Sequence, residues 1–340
     1  MSNLRRSIIL QSRPKGAPAL DNFAVEEQPI PQPGEGEVLT RTLWLSLDPY
    51  MRGRMSDGPS YAVPVAIGAP MTGETVGEVV ASRDPRFVPG DVVTGAFGWQ
   101  SHIVTPADRL FKLPKGGAPY SAYLGVLGMP GATAYAGMTE IGQTRAGETV
   151  VISAASGAVG AIAGQIAKRA GARVIGVVGN ADKCLYVQET LGFDDCIDHR
   201  AVMDLDAALR DACPKGIDVY FENVGGDLQR AVFPLLNNFG RVIMCGMVAE
   251  YNDTTHRPGP NLMDVVKKRL HIEGFIVTDR LARFDEWRAM ATSWVTDGSL
   301  HFREHVVDGL ENAPEAFIDL LRGHNFGKLV IRVAEPSKGV

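Results

Sequence analysis

The chain has 340 residues and is 45% hydrophobic, enough for two packed domains. Its formal net charge of −5 excludes a general nucleic-acid or anionic-membrane binder, since either would need extended basic patches. The first apolar run (Ile8, Ile9, Leu10) is too short for a secretory signal and no later stretch approaches a membrane span, so a cytoplasmic location is expected.

The N-terminal third reads as short strands. Apolar runs at 38–47, 75–81 and 92–97 are broken by PQPGEGE, GAPMTGE and DPRFVPGD, a pattern that suits a small barrel. Val88-Pro-Gly-Asp-Val92 fits a tight turn between two strands. The character changes near Leu124. A β-branched run ends in a small-residue turn at 149–160, and a helix follows on which Val159, Ile162, Ala163, Ile166, Ala167 and Ala170 share one face. Gly171 ends that helix, and 173–178 (RVIGVV) reads as the next buried strand. Further strands are expected at 196–198, 218–221, 241–245 and 271–277, separated by helices at 182–191, 204–212 and 228–236. Alternation of this kind implies a parallel sheet with right-handed crossovers. From about Leu300 a helix at 313–321 and a strand at 328–333 are expected to pack back onto the first domain. The resulting division is 1–124, 125–298 and 299–340. Four cysteines (Cys184, Cys196, Cys213, Cys245) form no CxxC pair and read as separate, reduced, small buried residues.

The loop Ala154-Ala155-Ser156-Gly157-Ala158-Val159-Gly160 carries the first chemistry. Alanine replaces the first glycine of the dinucleotide fingerprint, while Gly157 lets backbone approach a pyrophosphate and Gly160 lets the helix pack on the sheet. The strand–loop–helix–strand context supports a dinucleotide site. About 20 residues on, where an acid would bind the ribose of NAD, stand Gly179, Asn180, Ala181, Asp182 and Lys183. Lys183 offers a positive charge for a 2′-phosphate, which favours NADPH; Asp182, as a ribose-binding acid one turn late, is the alternative.

These motifs, together with LSLDPYMRGRMSD (45–57), GVLGMPGATAYAG (125–137), FENVGG (221–226), CGMVAEYN (245–252), GLENAPEAF (309–317) and HNFGKLVIRV (324–333), span nearly the whole chain. It resembles the zinc-independent branch of the medium-chain dehydrogenase/reductase superfamily that contains prostaglandin reductases, plant double-bond (2-alkenal) reductases and bacterial curcumin reductases. The similarity is greatest to the curcumin reductases. The resemblance implies an α/β fold, with a GroES-like β-barrel catalytic domain beside a doubly wound Rossmann NADPH-binding domain. It implies pyrophosphate contacts at Gly157, Ala158, Val159 and Gly160, and a 2′-phosphate contact at Lys183. Asn223, the segment from Cys245 to Tyr251, Phe275, Val277 and Asn325 would line the rest of the NADPH groove, with Met129 and Thr133 near the nicotinamide. His199 stands where prostaglandin reductases have a tyrosine near the adenosine, and Arg200 follows it. Lys267 replaces another of their tyrosines and receives no catalytic role. A homodimer through the last strand of the cofactor domain, 271–277, is also implied.

Zinc alcohol dehydrogenases of the superfamily hold their metal with cysteine and histidine in the first domain. This chain has no cysteine before Cys184, and Met71-Thr-Gly-Glu74 lacks the histidine of a zinc-binding GHE. Conjugate reduction of an enone or enal by NADPH needs less electrophilic help, because the conjugated carbonyl takes up the charge. Tyr251, after the 241–245 strand, is the expected polarising hydroxyl, a part the resemblance gives the matching tyrosine of plant double-bond reductases. Tyr50 and Tyr61 suit a small apolar, carbonyl-bearing substrate, with interdomain packing as the alternative. Arg52 is expected to form a structural salt bridge inside the barrel. Cys245 has no nearby histidine and is not a nucleophile. A quinone oxidoreductase and an inactive NADPH-binding protein remain as rival readings.

Overall fold

A computed structural model describes residues 3–337. Strands β1 (Leu4–Leu10) and β2 (Phe23–Pro29) form an antiparallel ribbon. Then come β3 (Glu37–Ser46), the single helical turn α1 (Met51–Arg54), β4 (Glu74–Ser82), β5 (Val92–Phe97), β6 (His102–Pro106) and β7 (Phe111–Lys112). The β4–β5 turn is the expected one: Asp91 N–H donates to Val88 O at 3.1 Å while Gly90 sits at φ +89°. Helix α2 (Met129–Ala136) precedes the parallel strands β8 (Thr149–Ser153), β9 (Arg173–Val178), β10 (Asp195–Asp198), β11 (Ile217–Glu222), β12 (Leu236–Met244) and β13 (His271–Gly274). Between them run α3 (Gly160–Arg169), α4 (Ala181–Leu185), α5 (Leu205–Ala212), α6 (Gly226–Val232) and α7 (Met263–Lys268). The chain closes with α8 (Ala282–Thr296), β14 (Glu304–Asp308), α9 (Ala313–Leu321) and β15 (Lys328–Arg332).

The parallel sheet runs β10-β9-β8-β11-β12-β13. Both of its faces are covered, as the unbroken apolar runs require: Val150 and Ile152 of β8 pack with Ile162 and Ala163 of α3, while Val151 packs with Leu209 and Val232 on the other side. Helix α3 ends as expected at Gly171, φ +83°, where Ala172 N–H caps Ala167 O at 3.1 Å. The second sheet runs β14-β15-β3-β4-β5-β7, with β6 also on β3. The last strand therefore returns to the N-terminal sheet, as the C-terminal pattern suggested.

Three expectations need correction. The strand expected at 271–277 stops at Gly274, and Phe275, Ile276 and Val277 leave the sheet. Beyond Leu185 the helix expected at 182–191 widens to a π-type turn, Tyr186–Thr190. The helix expected at 228–236 begins two residues earlier, and Leu236 already opens β12. Helices α2 and α8 were not anticipated.

Candidate active site

The order of chain growth reverses between β8 and β11, so the loops that follow these neighbouring strands diverge and leave a crevice. A cavity of about 700 Å³ occupies it, closed on the far side by the β3–α1 segment and the turn before β15. Sixteen residues expected to bind cofactor or substrate line this one cavity: Tyr50, Tyr61, Met129, Thr133, Gly157, Ala158, Val159, Gly160, Lys183, His199, Asn223, Cys245, Tyr251, Phe275, Val277 and Asn325.

At the floor, the strand–helix turn is tight. A Cβ on Gly160 would lie 2.4 Å from Ala154 O, so only glycine fits there. Ala154 itself sits at φ +50°, the left-handed conformation that the missing first glycine would have taken freely. The first turn of α3 winds directly out of this loop, with Ala161 N–H donating to Gly157 O at 3.0 Å and Ala163 N–H to Val159 O at 2.9 Å, so the helix N-terminus, where anions are favoured, faces the cavity. Asn223 ties the neighbouring loop down: its Nδ2 donates to Ser153 O at 2.8 Å and its N–H to Ser153 Oγ at 2.7 Å. The fully buried Glu222 carboxylate accepts from the Val224 and Gly225 amides at 2.7 and 2.9 Å. The Glu222 anchor escaped the sequence reading.

One end of the cavity is cationic. Lys183 is buried and donates to Gly323 O at 2.8 Å, and Arg200 donates to Arg322 O at 3.1 Å. Burial, then the charge of Arg200, depresses both the Lys183 ammonium and the His199 imidazole below their usual ranges. A Cβ on Gly179 would lie 3.3 Å from Arg200 Nε and 3.4 Å from His199 Nε2, so the end of β9 makes room for both basic side chains. Asp182 is exposed and lies outside the cavity lining, whereas Lys183 lies within it.

The other end carries hydroxyls. Tyr251 reaches over Gly246, where a Cβ would lie 2.9 Å from its hydroxyl. Burial pushes its phenol up to about 12. Burial and then the Asp48 and Glu74 carboxylates raise the Tyr50 phenol further. Tyr61 is 59% exposed at the mouth, and the Arg54 guanidinium lies 4.5 Å from its ring centre and 5.5 Å from that of Tyr50. Beneath them Lys328 Nζ donates to Asp48 Oδ1 at 2.6 Å and to Leu47 O at 2.9 Å, an ion pair buried on both sides.

Two sequence expectations fail here. Arg52 makes no salt bridge among the described residues; it bonds Asn252, Ser56 and Gly16 instead. Cys184 and Cys196, distant in sequence, are neighbours in space, with free Sγ atoms 2.7 Å apart, because α4 packs on β10.

Residues 6–113 match the model of an oxidoreductase N-terminal domain, and 158–297 match that of a zinc-binding dehydrogenase. An NADPH-dependent curcumin reductase of Escherichia coli is 52% identical over 335 residues, covering 97% of each chain. The chain belongs to the medium-chain dehydrogenase/reductase family. Within it, a NADP(+)-dependent 2-alkenal reductase of Nicotiana tabacum is 40% identical, covering 97% of each chain. The structure of CurA in complex with NADPH, from Vibrio vulnificus, superposes with a TM-score of 0.93 at 48% identity, covering 97% of this chain and all of that one. Like the sequence motifs, the architecture is that of a medium-chain reductase. No group of three or more His, Cys, Asp or Glu side chains among the described residues could hold a metal. No helix among them is long and apolar enough to cross a membrane. Lys267, which received no catalytic role from the sequence, is exposed and outside the cavity lining.

Proposed function

We propose that this reductase uses NADPH to saturate the carbon–carbon double bond of α,β-unsaturated ketones and aldehydes. The observation that carries the reading is a single cavity with a basic end and a hydroxyl end, on opposite sides of a glycine turn built for a diphosphate. The cofactor fits the residues present. Gly157, Ala158, Val159 and Gly160 would hold the pyrophosphate at the start of α3, and Lys183 the 2′-phosphate with His199 beside it. The end of β9 bears no carboxylate to repel that phosphate. Met129, Thr133, Asn223, Cys245, Phe275, Val277 and Asn325 would enclose the remainder. When bound, NADPH supplies the hydride that adds to the β-carbon of the acceptor.

The protein's own part is positioning and polarisation. Tyr251 donates a hydrogen bond to the substrate carbonyl oxygen and stabilises the enolate charge as it forms, an oxyanion-hole role. Its raised pKa keeps the phenol protonated, and so a donor, throughout the physiological range. The α-carbon then takes a proton, from Tyr251 or from water. Tyr50 and Tyr61 pack the apolar body of the substrate. The names of the two relatives above support this acceptor class.

A homodimer through β13 accords with that strand lying at the sheet edge beside exposed Leu262, Met263 and Val266. A cytoplasmic location completes the reading.

Replacing Tyr251 with phenylalanine tests the mechanism. Enone turnover should fall by roughly 10²-fold while the KM for NADPH stays near the wild-type value, as for loss of one oxyanion donor. Undiminished turnover would remove Tyr251 from the chemistry. Absence of NADPH oxidation across a graded panel of enones and enals would overturn the activity itself.

A further inference from the structure

We propose that Arg52 is a positioning residue for Tyr251, acting as a latch across the mouth of the cleft. The inference rests on the polarising role given to Tyr251 above. Arg52 lies in α1, on the wall opposite Tyr251, and is only 5% exposed. A buried guanidinium is ordinarily matched by a carboxylate, because an unpaired buried charge is expensive. This one has none within ion-pair distance among the described residues; its fork is spent on three neutral acceptors instead. Nε donates to Asn252 Oδ1 at 3.0 Å, Nη1 to Ser56 Oγ at 2.9 Å and Nη2 to Gly16 O at 2.7 Å.

Those acceptors come from three separate stretches of chain, and Asn252 is the residue after Tyr251. Gly16 sits at φ +82°, and a Cβ there would lie 3.6 Å from Asn252 O, so the N-terminal loop also packs directly on the Tyr251 segment. On its other side this segment is pinned to the nucleotide-binding sheet. Val248 N–H donates to Asn223 O at 3.1 Å, Ala249 N–H to Val224 O at 2.9 Å, and Glu250 accepts from the Gly226 amide at 2.9 Å. Tyr251 therefore hangs between an anchor on the sheet and an anchor on the opposite wall. Arg52 supplies the second. It also lies two residues from Tyr50, so one side chain sets the separation between the substrate-packing wall and the polarising hydroxyl. Its three nitrogens each take a different acceptor, a spread that the single nitrogen of a lysine ammonium does not reproduce.

The test compares Arg52→Met, Arg52→Lys and Asn252→Ala in the wild-type and Tyr251→Phe backgrounds. Arg52→Met and Asn252→Ala should each lower kcat on an enone by about 10- to 100-fold, the scale of a misplaced catalytic group. NADPH affinity, followed by nucleotide fluorescence, should change less than about twofold, because the phosphate-binding residues lie elsewhere. Arg52→Lys should fall between. In the Tyr251→Phe background Arg52→Met should cost almost nothing further, since both changes act through one hydroxyl. Equal losses in the two backgrounds, or wild-type kcat in a folded Asn252→Ala protein, would overturn the latch. Hydrogen exchange separates this result from failure of the catalytic reading. Loss of Arg52 should speed exchange of the 246–252 amides whatever Tyr251 does in turnover, and unchanged exchange would refute the proposal even if Tyr251 proves catalytic.

Discussion

At Gly246 the absence of one carbon decides where a hydroxyl can stand. With a Cβ there only 2.9 Å from the Tyr251 oxygen, Gly246→Ala should push the phenol aside and lower enone turnover by about tenfold or more, measured by steady-state NADPH oxidation. Glu74 is a second residue whose environment speaks plainly. Burial pushes its carboxyl up to about 7, against opposing help from Thr94, Arg288 and Lys328, while the Asp48 charge adds to the rise. The folded state thus holds this proton more tightly than the unfolded chain. Its contribution to stability is complete below about pH 4.5 and is lost as pH rises through 7, with a slope of at most about 1.4 kcal/mol per pH unit. Calorimetric melting at stepped pH should show wild type losing ground to Glu74→Gln across that window and running parallel above it. Parallel curves throughout would contradict the shift. That Tyr251, Lys183 and the glycine turn, all of which line the cavity, would share one cleft was legible in the sequence. The Lys328–Asp48 pair, 280 residues apart, was not.

Among the elements, α8 shows what periodicity can and cannot announce. Phe284, Trp287, Ala291 and Trp294 recur at three- and four-residue spacing and all pack into the nucleotide-domain core, a readable signal that was passed over. What no pattern conveys is that Trp287 is fully buried and donates its indole N–H to Val126 O at 2.6 Å, with its ring stacked on Tyr135. Trp287→Ala should cost about 3–5 kcal/mol, read from urea unfolding, because it opens a large void and strands a buried carbonyl. Helix α2 was missed for a different reason. Its sequence, MPGATAYA, is buried nearly all round and so lacks an amphipathic stripe. The early end of β13 likewise reflects surroundings: Phe275, Ile276 and Val277 read as more strand, yet they turn to line the cavity.

Across the whole molecule, the cleft depends on a chain that leaves the N-terminal sheet, builds a nucleotide-binding domain and returns. Strand β15 pairs with β3, and its first residue, Lys328, is sewn to Asp48 just beyond the end of β3. Lys328→Met would strand a buried carboxylate and should destabilise the protein by about 3–5 kcal/mol. Adding Asp48→Asn should recover much of that loss in chemical denaturation, whereas additive losses would deny the coupling.

The sequence by itself determined the alternation of strands and helices, the glycine turn between β8 and α3, the preference for a phosphorylated cofactor and the tyrosine that follows β12. Each of these is written in neighbouring residues, whose spacing and backbone demands act over a turn or two of chain. Only the tertiary structure decided that Arg52 reaches Asn252 rather than an acid, that Cys184 meets Cys196, and that a tail lysine neutralises Asp48. Such pairings are chosen by burial among distant segments, where the cost of an unpartnered charge or polar group selects contacts that no local pattern records.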